Sequence, residues 1–427
     1  VQKMNKIDNN AAVLRTAEII TIGDELLNGQ VVDTNSAWIA QRMGELHIPV
    51  VHITSISDKA YAIKKALQQA EERADVIIMT GGLGPTRDDI TKAAVAEYFG
   101  TILVRNETVL AHVERIFRRT GRKHMPAMNI GQADVLANAT VLFNDVGTAP
   151  GMVVERNDKY FAFLPGVPFE MKFLMENRVL PMLRDTHKND VFVYNTYLLT
   201  VGIGESLLAQ QIADIEDSLP PFITLAYLPQ IGMVRLRFTS EGTDMAYLTR
   251  VTNSFKQQVA ERLKEYIVSV DNLSFEEVLV QAFTTVGITL STAESCTGGA
   301  ISAQITAVPG ASQMFHGAAV VYSNQAKMDV LGVSLDTLTQ YGAVSERTVK
   351  EMAEGAKRVF GTDYAIATSG IAGPSGGTET KPVGTVCIAV AGKSNTQTQT
   401  FHFKNDREIN IERTVMAGLT MLWNILK

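Results

Sequence analysis

The stretch Ala293-Glu294-Ser295-Cys296-Thr297-Gly298-Gly299 constrains this chain more than any other. It puts a hydroxyl, a thiol and two glycines at one chain reversal, after an apolar run, Val286 to Thr292, that reads as a buried strand. Adjacent glycines open backbone conformations closed to other residues, so a strand can turn sharply into a helix there. Taken alone, the stretch fits a small-residue turn with a helix cap, the commoner case, as well as a tight turn that presents a nucleophile. The rest of the chain decides between them.

At 427 residues the chain exceeds the usual single domain, so two or three domains are expected. Its net charge of -6 gives no reason to expect a basic nucleic-acid surface. Cys296 and Cys387 are the only cysteines, which excludes a disulfide framework and a cysteine-rich metal site. The first residues lack a signal-peptide pattern, and no apolar run is long enough for a convincing membrane span. The expectation is a cytoplasmic protein with no membrane or nucleic-acid partner.

Residues 1–185 read as a first domain of strands alternating with helices, which implies a mostly parallel sheet covered on both faces. Ala17 to Ile22 is a buried first strand, punctuated by Gly23-Asp24-Glu25, and Val76 to Thr80 is another, ending in Gly81-Gly82-Leu83-Gly84. In TGGLGPTRDDIT, Thr80 to Thr91, the glycines permit close backbone approach to a ligand, and Asp88, Asp89 and Thr91 sit near the next helix start. Such a loop at the carboxyl end of a strand suits a phosphate or other anion. It lacks the spacing of a dinucleotide fingerprint and the lysine of a Walker A loop. Helix capping is the plainer role for Asp88 and Asp89. The turns around Asp145 to Met152 and Pro165 to Met171 can form a second wall of the same pocket.

The TGGLGPTRDD loop, Asp58 after the second strand and the PGVPFEM turn resemble the domain shared with molybdopterin-binding proteins. The opening Gly23-Asp24-Glu25-Leu26-Leu27, followed by Gly29, narrows the resemblance to the CinA (competence/damage-inducible) branch. The resemblance implies a three-layer α/β/α domain with divalent-metal-dependent ADP-ribose pyrophosphatase activity. The candidate site is Asp24, Glu25, Asp58, Gly81, Gly82, Asp88, Asp89 and Thr91, with Asp58, Asp88 and Asp89 as candidate metal ligands, of which Asp58 and Asp89 match acidic positions in those relatives. Carboxylates without histidine suit magnesium, manganese or cobalt in that role, the first two best.

Residues 186–270 read as strand, helix, two strands, helix, a small α+β domain that looks like the KH-type insert of long CinA members. It has no G-x-x-G clamp between paired helices and is not strongly basic, so a spacer or dimerisation role is expected rather than nucleic-acid binding.

Residues 271–427 hold the second centre. Ser274 and Glu277 form a plausible capping box for a helix Val278 to Thr285, and the opening turn leads into a helix from Ala300. The positive end of that helix is expected beside Ser295, where it can stabilise negative charge. The strand Ala318 to Tyr322 precedes a helix that carries Lys327, so Tyr322 and Lys327 can face one pocket. A desolvated lysine can take the proton from a serine hydroxyl, and a tyrosine can hold that network or protonate a leaving nitrogen. TSGIAGPSGG, Thr368 to Gly377, can place backbone donors and the Ser369 hydroxyl around an oxyanion or phosphate. Arg407, near the start of the last helix, has the geometry to pair with a phosphate, though such an arginine equally fits a solvent-facing role.

AESCTGG, VVYSNQAK, YGAVSE, TSGIAGPSGGTETKPVGTV and the late NDR together resemble the C-terminal CinA domain, the nicotinamide-nucleotide amidase or NMN deamidase. The resemblance implies an α/β/α amidase with Ser295 as nucleophile and Tyr322 and Lys327 as its partners. It implies substrate contacts from Thr297, Gly298, Gly299, Ser369, Gly370, Gly373 and Arg407, and no cofactor. Ser375 stands where many relatives carry aspartate. The implied reaction converts nicotinamide mononucleotide to nicotinate mononucleotide and ammonia. Pyridine nucleotides and ADP-ribose are the implied substrates, and a homodimer the expected assembly. Cys296 competes as nucleophile because a thiol is intrinsically more reactive, but His316 is a poorly placed partner for it. The alternative function is a nucleotide- or molybdopterin-binding regulatory protein built on retired enzyme domains.

Overall fold

The structure is a computed structural model that describes residues 15–86, 89–119, 125–186 and 191–426. The chain divides into two compact units, one holding the residues up to Tyr194 with Glu241–Met245, the other Asn195–Ser240 with Ala246–Lys427.

The first unit is built on a six-stranded sheet in the order Val50–Ile56, Ala17–Ile22, Val76–Thr80, Lys159–Leu164, Gly151–Arg156, Thr140–Leu142. The first four strands pair in parallel and the last two join through antiparallel pairings, so that Gly151–Arg156 alone of the six runs against the rest and the expectation of a mostly parallel sheet holds. Ala17–Ile22 and Val76–Thr80 are buried along their whole length, as central strands covered on both faces require. One apolar layer gathers around Ile20, Leu67, Val95 and Phe161, the other around Ile19, Met43, Ile78 and Leu174. Helices such as Thr34–Glu45 start where a short polar side chain caps them, here Asp33 accepting from the Ser36 amide at 2.9 Å.

The second unit carries two sheets. One has the order Ile223–Gln230, Met233–Gly242, Phe192–Val201, Ile267–Ser269. Its helices are Glu205–Asp217 and Met245–Arg262. The strand Ile267–Ser269 adds an edge that strand-helix-strand-strand-helix reading did not include. The other sheet runs Phe315–Val320, Leu290–Glu294, Tyr364–Gly370, Thr385–Ala391, Thr396–His402, the first three parallel and the last two antiparallel. Leu199, Val201 and Val268 share a core with Phe275, Phe283 and Leu419, so the small sheet and the C-terminal domain pack as one body.

The expected boundaries shift around the key turn. The helix Phe275–Val286 runs through Val286 and stops at Gly287, whose φ of 64° only glycine adopts readily. The buried strand is therefore Leu290–Glu294 rather than Val286 to Thr292. Its neighbour is Phe315–Val320, which leaves Tyr322 in the connection beyond it. Among the described residues no helix is long and apolar enough to cross a membrane.

Candidate active site

The turn after Leu290–Glu294 is held from three sides. The Ser295 amide donates to the Thr368 carbonyl at 3.0 Å, tying the turn to the adjacent central strand. Gly298 and Gly299 take φ of 61° and 102°, and the Gly298 amide closes back onto the Ser295 carbonyl at 3.2 Å. The third support is Glu294, wholly buried. One of its carboxylate oxygens accepts from the Thr297 hydroxyl at 2.7 Å and from the Gly299 and Ile301 amides at 2.9 and 3.1 Å. The other accepts from the Ser302 amide at 2.9 Å and the Thr292 hydroxyl at 3.2 Å.

Glu294 corrects one expectation. The start of the helix Ala300–Thr306 is already met by this carboxylate, so its amides and dipole are spent inside the protein rather than on a substrate. What the turn leaves open is the pair of amides at Cys296 and Thr297, which have no backbone acceptor among the described residues. The Thr297 side chain is likewise engaged, bridging Glu294 and the Thr368 hydroxyl, the latter at 2.8 Å.

Lys327 lies on the helix Asn324–Leu331, started by Ser323, whose hydroxyl accepts from the Ala326 amide. Only 1% of Lys327 is exposed. Its Nζ stands 3.0 Å from Ser295 Oγ and donates to the carbonyls of Val321 and Tyr322 at 2.9 and 3.2 Å. Burial depresses the pKa of this amine below the ordinary lysine range, with a smaller opposing effect from the neighbouring Cys296. A neutral amine has two N–H groups and one lone pair. The two carbonyls match the N–H groups, and the lone pair is left to accept the Ser295 proton.

Cys296 lies beside this pair but in a different environment. Its thiol is buried and pushed up to about 12, chiefly by desolvation, so it stays protonated near neutral pH. Tyr322 is 66% exposed, and the group it brings to Lys327 is its backbone carbonyl. The expected contact through the phenol is not made: among the described residues the Tyr322 hydroxyl forms no hydrogen bond to Ser295 or Lys327, and Tyr322 lies past the end of the strand.

Ser369 is buried at the end of Tyr364–Gly370, and its hydroxyl donates to the Ala343 carbonyl at 2.8 Å. That proton is committed, so Ser369 holds the YGAVSE segment against the glycine-rich loop rather than offering a free donor. Gly370 sits so close to the next strand that a Cβ there would meet Val386 Cγ2 at 2.7 Å. Gly373 has φ of 99°, and its carbonyl accepts from Arg407 Nη1 at 2.8 Å. Asn410, fully buried on the same terminal helix, donates to the Ala372 carbonyl at 3.0 Å and the Asn405 carbonyl at 2.8 Å. Glu294 and Asn410 were missed in the sequence. Glu294 stands inside AESCTGG, where an acid at the end of a buried strand was the available signal.

The first unit has a separate cavity of about 560 Å³ at the carboxyl ends of its central strands. Glu25, Asp58, Gly81, Gly82 and Asp89 line it, whereas Asp24 and Thr91 do not. Asp24 contributes its amide, which donates to Asp58 Oδ2 at 3.0 Å. The Thr91 hydroxyl is buried and donates to the Gly81 carbonyl at 3.2 Å. Asp88 lies outside the described residues. The loop glycines answer to packing: a Cβ on Gly81 would meet the Ile22 carbonyl at 2.5 Å, and one on Gly82 the Thr91 hydroxyl at 2.2 Å. Asp89 latches its loop by accepting from the Thr86 amide at 2.8 Å and hydroxyl at 2.5 Å.

Two further acids, Asp33 and Glu170, line the same cavity. Burial raises the Glu170 pKa, opposed by the Asn144 side-chain amide at 2.6 Å and by the backbone of Ala149. Glu170 belongs to the PGVPFEM turn, which was read as a wall of this pocket without assigning the acid a role. Among the described residues no three His, Cys, Asp or Glu side chains gather into a metal-holding group. The donor chemistry is nonetheless that of a hard cation, which commonly takes one or two carboxylates and completes its shell from substrate phosphates and water.

Comparison with known proteins agrees with this architecture. A model described as probable molybdopterin binding domain matches residues 18–185, the damage-inducible protein CinA KH domain residues 195–269, and the CinA C-terminal domain residues 272–426. A CinA-like protein of Cytophaga hutchinsonii is 43% identical over 96% of this chain and 98% of its own. One from Flavobacterium psychrophilum is 42% identical over 96% of this chain and 99% of its own. Among solved structures, the competence/damage inducible protein CihA from Agrobacterium tumefaciens is 39% identical with a TM-score of 0.35, covering 36% of this chain and 93% of that one.

Proposed function

The chain belongs to the CinA family, and from that premise we propose that its C-terminal domain is a nicotinamide-nucleotide amidase. The reading rests on one observation above all: the buried amine of Lys327 is 3.0 Å from the Ser295 hydroxyl. Ser295 Oγ attacks the carboxamide carbon of nicotinamide mononucleotide while its proton passes to Lys327 Nζ. The carbonyl oxygen becomes an oxyanion, met by the Cys296 and Thr297 amides. Lys327 returns the proton to the amide nitrogen, the C–N bond breaks and ammonia leaves. Water then attacks the acyl ester, again giving its proton to Lys327, and nicotinate mononucleotide is released as Ser295 recovers that proton. Arg407 spends one N–H on Gly373, and its remaining donors suit the nucleotide phosphate.

The first unit is proposed to be an ADP-ribose pyrophosphatase. The reading is supported by the carboxylates that line its cavity at the carboxyl ends of parallel strands. Asp58 and Asp89 are the residues that would hold a divalent metal, which when bound neutralises charge on the pyrophosphate. Glu170, its pKa raised by burial, is suited to give or take a proton within that cavity.

Ammonia release from nicotinamide mononucleotide, with nicotinate mononucleotide identified as co-product, tests the amidase reading. A folded sample that binds the nucleotide and releases no ammonia supports a binding protein instead.

A further inference from the structure

A second cavity in the C-terminal unit, of about 590 Å³, lies apart from Ser295 and shares no lining residue with the amidase turn or its glycine-rich loop. It opens between the hairpin tip Pro229–Gly232, the strand Thr396–His402 and the helix Arg407–Leu426. Its volume is that of a small-molecule site. Phe401 and Phe403 stand on one side, two residues apart, with ring centroids 5.7 Å apart and planes only 18° from parallel. Met416 and Met421 line the cavity from the helix, and Ile231 comes from the hairpin. Gly232, at φ of 73°, lets the hairpin tip come so close that a Cβ would lie 3.4 Å from Met416 Cβ.

The one charged side chain in the lining is Arg413. It is exposed and makes no ion pair or hydrogen bond among the described residues. In a chain of net charge -6 an unpaired guanidinium over an apolar cavity is a specific feature. Near-parallel phenyl rings accept a flat ring by offset stacking, and a guanidinium pairs with a carboxylate or phosphate oxygen. We infer that this cavity is a second ligand site, for a planar aromatic anion whose ring packs against Phe401 and Phe403 and whose acid group meets Arg413.

The site touches both elements that hold the amidase loop. The Phe403 amide donates to the Gly384 carbonyl at 2.9 Å, where the glycine-rich segment re-enters the sheet. The helix that carries Arg413 also carries Asn410 and Arg407, which hold Ala372 and Gly373. An occupant therefore bears on loop order without entering the Ser295 pocket.

Calorimetric titration of the full chain with 2-naphthoate tests the site, with uncharged 2-naphthamide as the matched control. One saturable site per chain is expected. Arg413→Gln, at an exposed position that does not threaten folding, weakens naphthoate binding about tenfold. Phe401→Ala weakens both ligands, and the amide binds wild-type protein no better than naphthoate binds Arg413→Gln. Absence of saturable binding at millimolar naphthoate overturns the inference. So does binding indifferent to both variants, or full displacement by nicotinamide mononucleotide, which puts the probe in the Ser295 pocket.

Discussion

A lysine amine in water keeps its proton up to a pH of about 10.4. Lys327 is buried, and desolvation makes the charged form harder to keep, so the neutral base is available at lower pH. Ammonia release is expected to rise with pH through the lowered pKa of this amine and to fall away below it, which a pH–rate profile reads. Lys327→Arg, which cannot deprotonate, should lose that limb together with about 10²–10⁴ of the turnover. Because the folded pKa lies below the unfolded one, native protein binds fewer protons here, and stability rises with pH between the two values. Cys296, its thiol pushed up to about 12, should resist alkylation in native protein and react once unfolded, as mass spectrometry of the labelled chain will show. At this scale the sequence was informative about types and poor about contacts. Ser295 and Lys327 were legible because hydroxyl and amine flank neighbouring chain reversals. The Tyr322 carbonyl was not, since spacing along a chain does not reveal which atom of a residue turns inward.

The turn and the loop are elements built to hold those atoms still. Glu294 collects five donors on one buried carboxylate. Glu294→Ala leaves them without an acceptor and should cost about 3 kcal/mol or more, read as a lower midpoint in urea. Glu294→Gln keeps the shape but turns an amide donor toward backbone amides, so kcat should fall more than KM rises. Gly384 makes the parallel case in the loop: at φ of 89°, a Cβ there would lie 1.7 Å from the Phe403 carbonyl oxygen. Gly384→Ala should therefore raise KM for the nucleotide and lower the melting temperature. Apolar periodicity was enough to find the strands, as Ala17–Ile22 and Val76–Thr80 illustrate. It misplaced the strand before the nucleophile because Val286 is apolar in a helix as it would be in a strand. The signal that separates them is Gly287, whose left-handed backbone ends the helix.

On the scale of the whole molecule, the two units hold chemically different sites, one dominated by carboxylates and one by a serine and a lysine. Chelation with EDTA should abolish ADP-ribose cleavage while leaving ammonia release unchanged. Asp89→Asn should likewise affect the first activity alone, through the Thr86 latch as well as the cavity. The domain character of both ends was readable because each packs its signature residues around one sheet. The cavity beside Arg413 was not, because its walls come from Pro229–Gly232 and from residues some 170 or more positions later. The mechanism is decided by which atom attacks the amide. The direct measurement is ammonia release from nicotinamide mononucleotide by Ser295→Ala and Cys296→Ala side by side, each checked for native circular dichroism. Turnover within a few-fold of wild type is expected for Cys296→Ala, and a loss of about 10³-fold or more for Ser295→Ala. Sustained turnover by folded Ser295→Ala, with loss in Cys296→Ala, would contradict it.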